Sequence, residues 1–558
     1  MKHIASLMTV VITGIIISSC NSIGNNPGRT DTNTYNWNNS TVYFLLTDRF
    51  NNGSPANDMN FDRMMETSPD RGFQGGDLKG ITQKIREGYF DDLGITAIWM
   101  TPFFEQIHGI VDEGTGKTYG YHGYWAKDWT ALDPNFGTEE DLAELVSTAH
   151  EHGIRIVMDV VINHTGPVTE IDPVWPGEWV RTTPACTYKD YRSTIRCTLV
   201  ENLPDIRTEN EADVPLPQAL LEKWEAEGRL EQELAELDAF FERTGYPRAP
   251  KYYIIKWLTD YVRKHGINAY RLDTAKHTEE TVWSILRTEA DIAYADWKKE
   301  NPETFVINEP FYMVGEVYNY GISGGRKFNF GDTLVDFYAE GIDHLINFEF
   351  KWDAHNSYEA IFSKYSDLLN YELQGKGVMN YISSHDDGDP FDKMREKPME
   401  AATKLLLCPG AAQIYYGDET MRRLETPGTV GDANLRSFMN WDQLADNTEI
   451  NGFKVSDVLE HYQKLGKFRK EHPAVGAGLH LMISDKPYIF SRSYEDEEIQ
   501  DHVIVGLDLD NQPIRIPTKD IFEDGTELSD YYSGKTLTPE NGVIEIIPYN
   551  GIVLLAKK

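Results

Sequence analysis

The 558-residue sequence predicts an α/β protein built on a (β/α)8 TIM barrel, with a subdomain inserted after strand 3 and a C-terminal antiparallel β domain. Three observations predict this fold: apolar runs alternate with amphipathic stretches, one connection is far too long for a loop, and the pattern changes near the C-terminus. We assign residues 38–165 and 251–473 to the barrel, 166–250 to the inserted subdomain and 474–558 to the β domain.

Eight short apolar runs have the length and composition of buried parallel strands. They are Val42–Leu46, Ala97–Met100, Ile154–Val161, Ile267–Leu272, Tyr312–Gly315, Ile346–Phe350, Val378–Ile382 and Gln413–Tyr416. Helical patterns lie between them, and one of these places Tyr253, Trp257 and Tyr261 on one face before Gly266 ends it. A strand followed by a helix-like segment, repeated eight times, is typical of a closed parallel barrel.

Two regions depart from the alternation. The connection from His164 to Tyr252 is too long for a barrel loop and predicts a subdomain, whose second half, Pro217–Thr244, has apolar residues at helical spacing. After residue 473, short alternating runs such as Val503–Leu507 and Val543–Pro548 are separated by turn signals. This pattern predicts the antiparallel β domain.

The charge balance of the chain is strongly acidic. Lys and Arg total 53 and Asp and Glu total 89, which gives a formal net charge of −36 at pH 7. Such a surface repels phosphate backbones and anionic membranes, so the composition argues against nucleic acid as a partner. An apolar fraction of 40% is typical of a folded globular protein, but it does not distinguish an enzyme from a binding protein.

The N-terminus predicts a targeting segment rather than part of the fold. The apolar run Ile4–Ile17 is too short to span a bilayer comfortably, and it ends in Ile17-Ser18-Ser19-Cys20, which resembles a bacterial lipoprotein cleavage box. We therefore interpret residues 1–20 as a lipoprotein signal peptide with Cys20 as the lipidated residue. An ordinary secretory peptide with a chance cysteine is the alternative. The polar stretch 21–37 is interpreted as a tether.

Three further cysteines would remain in the mature chain. Cys186 and Cys197 flank a short polar loop, and in an oxidising compartment they predict a disulfide. Cys408 ends an apolar run and is predicted to be a buried free thiol.

Three carboxylates stand where barrel strands are predicted to end, which is where barrel enzymes place their reacting groups. Asp273 follows the fourth strand, Glu316 the fifth and Asp386 the seventh. A single acidic residue at such a place is more often a helix cap or a surface charge. Three of them on one barrel face would converge on one pocket, and this gathering of like charge is costly unless function or a cation requires it.

These segments, together with Asp159-Val160-Val161-Ile162-Asn163-His164, resemble the four motifs of the α-amylase family of glycoside hydrolases. The resemblance extends to Leu203-Pro204-Asp205 and to Tyr121-His122-Gly123-Tyr124-Trp125, and it covers essentially all of Asn38–Lys558. Through Glu105-Gln106-Ile107-His108-Gly109 the sequence is similar to the periplasmic α-amylases of Gram-negative bacteria.

The resemblance implies an enzyme that cleaves α-1,4-glucosidic bonds of starch, glycogen or maltooligosaccharides with retention. Asp273 would be the nucleophile, Glu316 the general acid/base, and Asp386 would hold sugar hydroxyls and help to keep Glu316 protonated. Thr274 fits α-1,4 specificity, since relatives specific for α-1,6 bonds usually carry Val there. The implied substrate-binding residues are Tyr124, His164, Arg271, Lys276, His277 and His385.

The resemblance also implies calcium as a cofactor. Asn163, Asp205 and the backbone carbonyl of His277 would form one site, and their hard oxygen ligands suit Ca²⁺. A second site would resemble the N-terminal calcium loop of cyclodextrin glucanotransferases, although an Asx-rich turn without metal is the alternative. Its residues would be Asn52, Asn57, Asp58, Gly75 and Asp77.

Two other functions stay open at this point. A cyclomaltodextrinase or transglycosylase would use the same active site and differ only in the group that attacks the intermediate. A non-catalytic glycan-capture lipoprotein would be expected to have lost a catalytic carboxylate, whereas all three are present. Trp175 and Trp179 are candidates for surface glycan binding. We expect a monomer, lipid-anchored in the bacterial envelope at the periplasm or the outer membrane.

Overall fold

The computed structural model describes residues 35–304 and 309–558, and its centre is a closed barrel of parallel strands. The barrel strands are β1 (Thr41–Leu45), β2 (Ala97–Met100), β3 (Arg155–Val160), β4 (Ala269–Leu272), β5 (Tyr312–Gly315), β6 (His344–Asn347), β7 (Gly377–Tyr381) and β8 (Ala411–Tyr415). Their order around the barrel is β1-β8-β7-β6-β5-β4-β3-β2. The predicted barrel is therefore confirmed.

Every residue of these eight strands is buried. In a parallel barrel, one strand face fills the interior and the other is covered by helices, so the strands show continuous apolar runs rather than alternation. Several buried polar residues nevertheless lie within these strands. Two of them, Asp159 on β3 and Arg271 on β4, are register partners at the end of the barrel described below.

The helices cover the barrel and build part of the insertion. The main ones are α1 (Leu78–Arg86), α2 (Glu139–Glu151), α3 (Gln218–Ala226), α4 (Leu230–Thr244), α5 (Pro250–His265), α6 (Thr281–Glu300), α7 (Phe350–Asp353), α8 (Tyr358–Asp367), α9 (Pro398–Leu407) and α10 (Val455–Glu471). As the spacing predicts, α5 ends at Gly266, whose φ of 77° is the left-handed conformation that glycine accommodates at a helix end.

Two details of the barrel differ from the prediction. The sixth strand was predicted as Ile346–Phe350, but β6 ends at Asn347 and Phe350 begins α7. Both strand and helix bury their apolar residues here, so an apolar run alone does not mark where one becomes the other. In the described stretch between β5 and β6, a 3-10 turn at Phe337–Glu340 stands where the alternation predicts a helix.

The inserted subdomain follows β3 and joins an irregular first half to the helices α3 and α4. Val180–Arg181 and Asp205–Ile206 form a short antiparallel pair in the first half. The predicted disulfide between Cys186 and Cys197 is present, and Cys408 is a buried free thiol, as predicted.

The prediction that Trp175 and Trp179 bind glycan at the surface is wrong. Trp179 is 0% exposed, and its ring stacks parallel to that of Trp257 on α5 with ring centres 6.3 Å apart. Trp175 is also buried, edge-on to Trp179. An irregular, polar segment predicts exposed aromatic residues. In the structure these two side chains instead form an apolar contact between the insertion and the barrel helix α5.

The C-terminal domain is the predicted antiparallel β structure. Its strands are β9 (Leu479–Ser484), β10 (Tyr488–Glu495), β11 (Gln500–Leu507), β12 (Ile514–Pro517), β13 (Leu528–Asp530), β14 (Lys535–Leu537), β15 (Val543–Ile546) and β16 (Val553–Lys557). Six of them form one sheet in the order β9-β10-β11-β16-β13-β14, and β12 pairs with β15. Phe490, Val503 and Tyr532 belong to the same hydrophobic core as the barrel, so this domain is packed firmly against it.

The signal peptide with Cys20 and most of the predicted tether lie outside the described residues. Among residues 35–304 and 309–558, no helix combines the length and apolar character that crossing a membrane requires.

Candidate active site

The three predicted carboxylates come together at the carboxyl end of the barrel. Asp273 and Glu316 directly follow β4 and β5, and because Leu272 and Gly315 are register partners, the two carboxylates start side by side. Their backbone N–H groups continue the barrel pattern, with Glu316 N donating to Leu272 O at 3.0 Å. Asp386 lies in the loop after β7 and is more exposed than the other two.

Arg271 connects the carboxylates. Its guanidinium is buried, and it donates from Nη1 to Asp273 Oδ1 at 2.7 Å and to Asp159 Oδ1 at 3.0 Å. The other nitrogen, Nη2, lies 3.0 Å from Glu316 Oε2. The predicted contact with Asp273 is therefore present, and the same side chain also holds Glu316. Because the guanidinium contacts three different carboxylates, this one side chain fixes their positions relative to one another.

The surroundings shift the pKa values of Glu316 and Asp386 in opposite directions. Burial raises the pKa of Glu316 to about 8; Arg271 opposes this change, whereas the nearby Asp273 and Asp386 add to it. For Asp386, burial acts in the same upward direction, but His385 and Arg436 outweigh it and hold the pKa well below its usual range. The site therefore contains a protonated Glu316 beside an ionised Asp386 at neutral pH.

Arg436 was not identified from the sequence as part of the site. It comes from the loop after β8, and its Nη2 lies 2.5 Å from Asp386 Oδ1 while its Nε donates to His385 O at 3.0 Å. Nothing in the local sequence marks this arginine, because its partner lies 50 residues away in the chain.

Asp159 was quoted as part of a motif, but no role was assigned to it. Its carboxylate accepts hydrogen bonds from Trp99 Nε1 at 3.0 Å and from the Tyr124 hydroxyl at 2.8 Å, in addition to its contact with Arg271. Burial raises the pKa of Asp159 to about 7, with Arg271 opposing and Asp273 adding to the change. An acidic residue in the interior of a predicted barrel strand was the signal that could have identified it.

Tyr124, His164 and His385 line the same end of the barrel. The Tyr124 ring lies nearly parallel to that of His385 at 5.3 Å, and His385 Nε2 is 2.8 Å from Asp386 Oδ2. His164 Nε2 is 3.2 Å from Tyr124 O, while its buried Nδ1 has no hydrogen-bond partner among the described residues. Burial lowers the pKa of both histidines, so they are neutral and can exchange hydrogen bonds with a ligand.

Lys276 and His277 lie just beyond Asp273, in the short 3-10 helix Ala275–His277. Lys276 Nζ donates to Tyr318 O at 3.2 Å and remains partly exposed. The His277 ring instead points into the protein, where Nδ1 is 2.9 Å from Thr194 O in the insertion. The structure thus places Lys276 at the opening of the site, whereas the His277 ring holds the insertion.

The residues predicted for the first calcium site meet at one point. Asn163 Nδ2 lies 2.7 Å from Asp205 Oδ1 and 3.2 Å from His277 O, while the buried Asn163 Oδ1 has no partner among the described residues. Turning the amide by 180° would bring the oxygens of Asn163, Asp205 and His277 together. The donor set fits Ca²⁺, with the charge of Asp205 balanced by Arg181, whose Nε is 2.6 Å from Oδ2.

The second predicted calcium loop is also assembled. Asn52 Nδ2 donates to Asp58 Oδ1 at 2.9 Å. A Cβ at position 75 would lie only 2.7 Å from that oxygen, so only glycine allows the Asp58 carboxylate to come this close to the backbone. Asp77 accepts from Ser54 N at 2.8 Å and also caps α1. Asn57 Oδ1 is buried without a partner among the described residues, which fits a cation ligand. No cluster of three or more Asp, Glu, His or Cys side chains suited to a metal occurs in the described parts of the chain.

Comparisons with known proteins agree with this geometry. A family model described as the catalytic domain of α-amylase matches residues 44–478. The chain is 34% identical over 528 residues to the periplasmic α-amylase of Escherichia coli (strain K12). The alignment covers 84% of this chain and 73% of that protein. It is 25% identical to the cyclomaltodextrin glucanotransferase of Thermoanaerobacterium thermosulfurigenes, over 83% of this chain and 59% of that longer protein.

Solved structures show the same fold. The α-amylase of Geobacillus thermoleovorans, determined in complex with acarbose, superposes with a TM-score of 0.65 at 21% identity, covering 94% of this chain and 99% of that one. The family match spans the barrel, the insertion and all three carboxylates. The protein therefore belongs to the α-amylase family and is a glycoside hydrolase of the α-amylase type.

Proposed function

We propose that Asp273, Glu316 and Asp386 carry out retaining hydrolysis of α-1,4-glucosidic bonds in starch, glycogen or maltooligosaccharides. The observation that supports this most directly is the contact of Arg271 with both Asp273 and Glu316. Retention requires an ionised nucleophile close to a protonated acid. The shared guanidinium holds the two carboxylates together, and burial leaves the proton on Glu316.

The steps follow from these positions. Glu316 gives its proton to the glycosidic oxygen as Asp273 attacks the anomeric carbon, and the bond to the leaving sugar breaks. Glu316, now ionised, then takes a proton from water, which attacks the same carbon and releases Asp273. Asp386, His164 and His385 bind sugar hydroxyls, Tyr124 contacts the ring, and Lys276 lies on the leaving-group side.

Replacing either reacting carboxylate tests these roles. We expect Glu316→Gln to lower starch hydrolysis by about 10²–10⁴-fold, since the amide has no proton to transfer. Asp273→Asn should lose several orders of magnitude because the amide is a poor nucleophile. Rates on soluble starch are measured beside the exposed variant Asp446→Asn as a control for folding and charge. Activity of either variant within tenfold of the parent would contradict the assignment.

The products of the parent enzyme test the retaining mechanism and distinguish hydrolysis from the alternative, transglycosylation. Two displacements at one carbon restore its configuration, so NMR of the first product should show the α anomer. Product profiles from starch, maltoheptaose and cyclodextrin separate hydrolysis from transglycosylation. Linear maltooligosaccharides are expected as the main products, whereas an initial β anomer or a dominance of cyclic products would count against this function.

The raised pKa of Glu316 predicts the alkaline limit of activity. A general acid must be protonated in the free enzyme, so kcat/KM should fall as the pH rises through about 8. Because the charge of Asp386 helps to raise this pKa, Asp386→Asn should shift the limit in the residual activity to lower pH. Asp446→Asn should leave it in place. An alkaline limit that is the same in all three proteins would show that Glu316 does not set it.

We further propose a structural calcium held by Asn163, Asp205 and the His277 carbonyl, and a second ion in the loop of Asn52 and Asp58. When bound, the first ion would supply positive charge between the insertion and the segment that follows Asp273. The buried Asn163 Oδ1, which has no partner among the described residues, is the observation that supports an ion at this place.

Calcium binding should couple to stability. Free calcium at 100 times its dissociation constant would add about 2.7 kcal/mol to the free energy of unfolding. A chelator should therefore lower the melting temperature and the activity together, and Asp205→Ala should reduce the response to added calcium. Thermal melts and metal analysis of the dialysed protein are the measurements. Identical melts with no retained calcium would mean that these residues only bond to one another.

The targeting segment supports an envelope location, and the name of the Escherichia coli relative, a periplasmic α-amylase, supports it as well. We propose that the chain is cleaved before Cys20 and acylated there. Labelled palmitate should enter the parent and not Cys20→Ala, which should move from the membrane to the soluble fraction. Equal labelling of both proteins would favour the alternative of an ordinary secretory peptide.

A further inference from the structure

A buried arginine that follows the first barrel strand joins three of the loops around the candidate active site. Arg49 lies in the short helix Thr47–Phe50 after β1, and no part of it is exposed to solvent. A buried guanidinium is costly unless its donors are satisfied, so its partners indicate what the side chain does.

The guanidinium of Arg49 is shared among several acceptors. Nε donates to Arg436 O at 2.8 Å, and Nη1 pairs with the neighbouring Asp48 carboxylate. Nη2 donates to Asp70 O and to Gly72 O, at 2.9 Å each. The planar fork of an arginine can reach acceptors in these different directions at once, whereas a lysine ammonium cannot. Arg49 therefore fixes the loop after β8 relative to the loop after β1.

The loop after β2 contacts the same guanidinium. The ring centre of Tyr121 lies 3.9 Å from the guanidinium carbon of Arg49, which is the distance of a cation–π contact. Burial acts to lower the pKa of Arg436, but Tyr121 and Asp386 outweigh it and raise this pKa well above its usual range. Tyr121 is therefore close to both arginines, and it begins the segment that carries Tyr124.

The backbone around Arg436 is held at three consecutive carbonyls. Arg49 binds the carbonyl of Arg436 itself, Tyr415 Oη donates to the preceding carbonyl at 2.8 Å, and Tyr416 Oη donates to the following one at 2.7 Å. Residues 436–440 belong to neither a helix nor a strand, so side chains satisfy these carbonyls. Buried side chains, rather than secondary structure, thus determine where Arg436 lies.

Arg436 in turn holds Asp386. Its Nη2 lies 2.5 Å from Asp386 Oδ1, and its Nε donates to His385 O at 3.0 Å. The Asp386 side chain is 39% exposed, so barrel packing does not fix it as it fixes Asp273. A carboxylate in an open loop keeps one orientation only when partners hold it there. The orientation of Asp386 therefore depends on where the loop after β8 places Arg436.

We propose that Arg49 is a positioning residue for Asp386, an inference that rests on the proposed function of the three carboxylates. Arg49 acts through Arg436: its buried fork fixes the Arg436 backbone, and the Arg436 side chain holds Asp386 where it can bond to sugar hydroxyls. Loss of the fork should displace Asp386 while every reacting group stays in the chain. A displacement of about 1 Å can cost about 10²-fold in rate.

The variant Arg49→Lys tests this role. Lysine keeps the positive charge beside Asp48 but cannot bond to all the carbonyls that the arginine reaches. We expect kcat/KM on maltoheptaose to fall by about 10- to 10²-fold, because Asp386 is no longer held in one orientation. A parent-like kcat/KM in a folded Arg49→Lys protein would overturn the proposal.

The matched control is Arg469→Lys. Arg469 is equally buried and also donates to backbone carbonyls, at 2.9 Å to Leu406 O and at 3.0 Å to Cys408 O. It lies at the opposite end of the barrel, where its Nε donates to Asn39 O before β1 begins. Arg469→Lys should lower the melting temperature as Arg49→Lys does and leave kcat/KM near that of the parent. Equal losses of kcat/KM in the two variants would show a general effect on stability and overturn the proposal.

A double-mutant cycle tests whether the effect passes through Asp386. Asp386→Asn removes the charged partner of Arg436, so adding Arg49→Lys should lower the residual kcat/KM little further, whereas independent effects would multiply. Full multiplication of the two losses would overturn the proposed route through Arg436.

A second variant keeps the test valid if Arg49→Lys does not fold. Asp48→Asn combined with Arg49→Gln removes the fork and leaves no unpaired charge of this buried pair, so it is expected to fold. It should show the same loss of kcat/KM and the same behaviour in the cycle with Asp386→Asn. A folded protein with parent-like kcat/KM would again overturn the proposal.

Binding separates this proposal from the proposed function. Maltoheptaose is titrated calorimetrically into the Glu316→Gln protein, in which it is not cleaved, with and without Arg49→Lys. The second change should weaken binding by about tenfold, the loss expected when a hydrogen bond to a charged group is weakened. Unchanged binding beside an active parent would overturn only the role of Arg49. A parent that hydrolyses no starch, together with a Glu316→Gln protein that binds no maltoheptaose, would instead overturn the proposed function.

Discussion

The buried guanidinium of Arg271 is the interaction on which the rest of the site depends. It contacts Asp159, Asp273 and Glu316 at once, and no solvent reaches the group to screen them. One positive charge cannot balance three buried carboxylates, so the lowest free energy is reached when one of them keeps a proton. Burial raises the pKa of Glu316 to about 8, and Glu316 is the group that we propose as the proton donor to the substrate.

The inserted subdomain is attached to the barrel beside Asp273, next to the carboxylates that Arg271 contacts. It leaves the barrel directly after β3, returns over Asp273, and is attached there by several polar contacts. Thr194 O meets the His277 ring at 2.9 Å, and Arg196 Nε lies 3.1 Å from Glu279 Oε1. The disulfide between Cys186 and Cys197 closes the loop that carries Thr194 and Arg196. Restricting this loop lowers the entropy that must be lost when it orders against the segment that follows Asp273.

The C-terminal domain packs against the barrel and shares its hydrophobic core. Its core residues Val503 and Tyr532 are continuous with the barrel core, so the two parts are held as one packed unit. A groove of about 790 Å³ remains where α8, α9 and α10 meet the segment after β11, because the facing side chains do not fill it. Packing of this kind is decided by the shapes of facing side chains and leaves a cavity wherever they do not interdigitate.

The sequence alone was sufficient for the features that short segments encode. Barrel strands are mostly apolar runs, and the carboxylates that we propose to react, Asp273 and Glu316, directly follow two of them, so the same short segments predict both the fold and the candidate site. The cysteine pair was likewise predicted from two residues flanking a loop. These inferences needed no knowledge of which distant segments meet.

Only the tertiary structure decided the features that depend on distant segments meeting. Arg436 reaches Asp386 across 50 residues, and Asn163 reaches the His277 carbonyl across 114. The predictions for the end of β6 and for the exposure of Trp179 were wrong for the same reason. The identity of an apolar residue does not reveal which distant element will pack against it. The sequence therefore determined which carboxylates are candidates for the reaction, and the packing of segments far apart in the chain decided their surroundings and their partners.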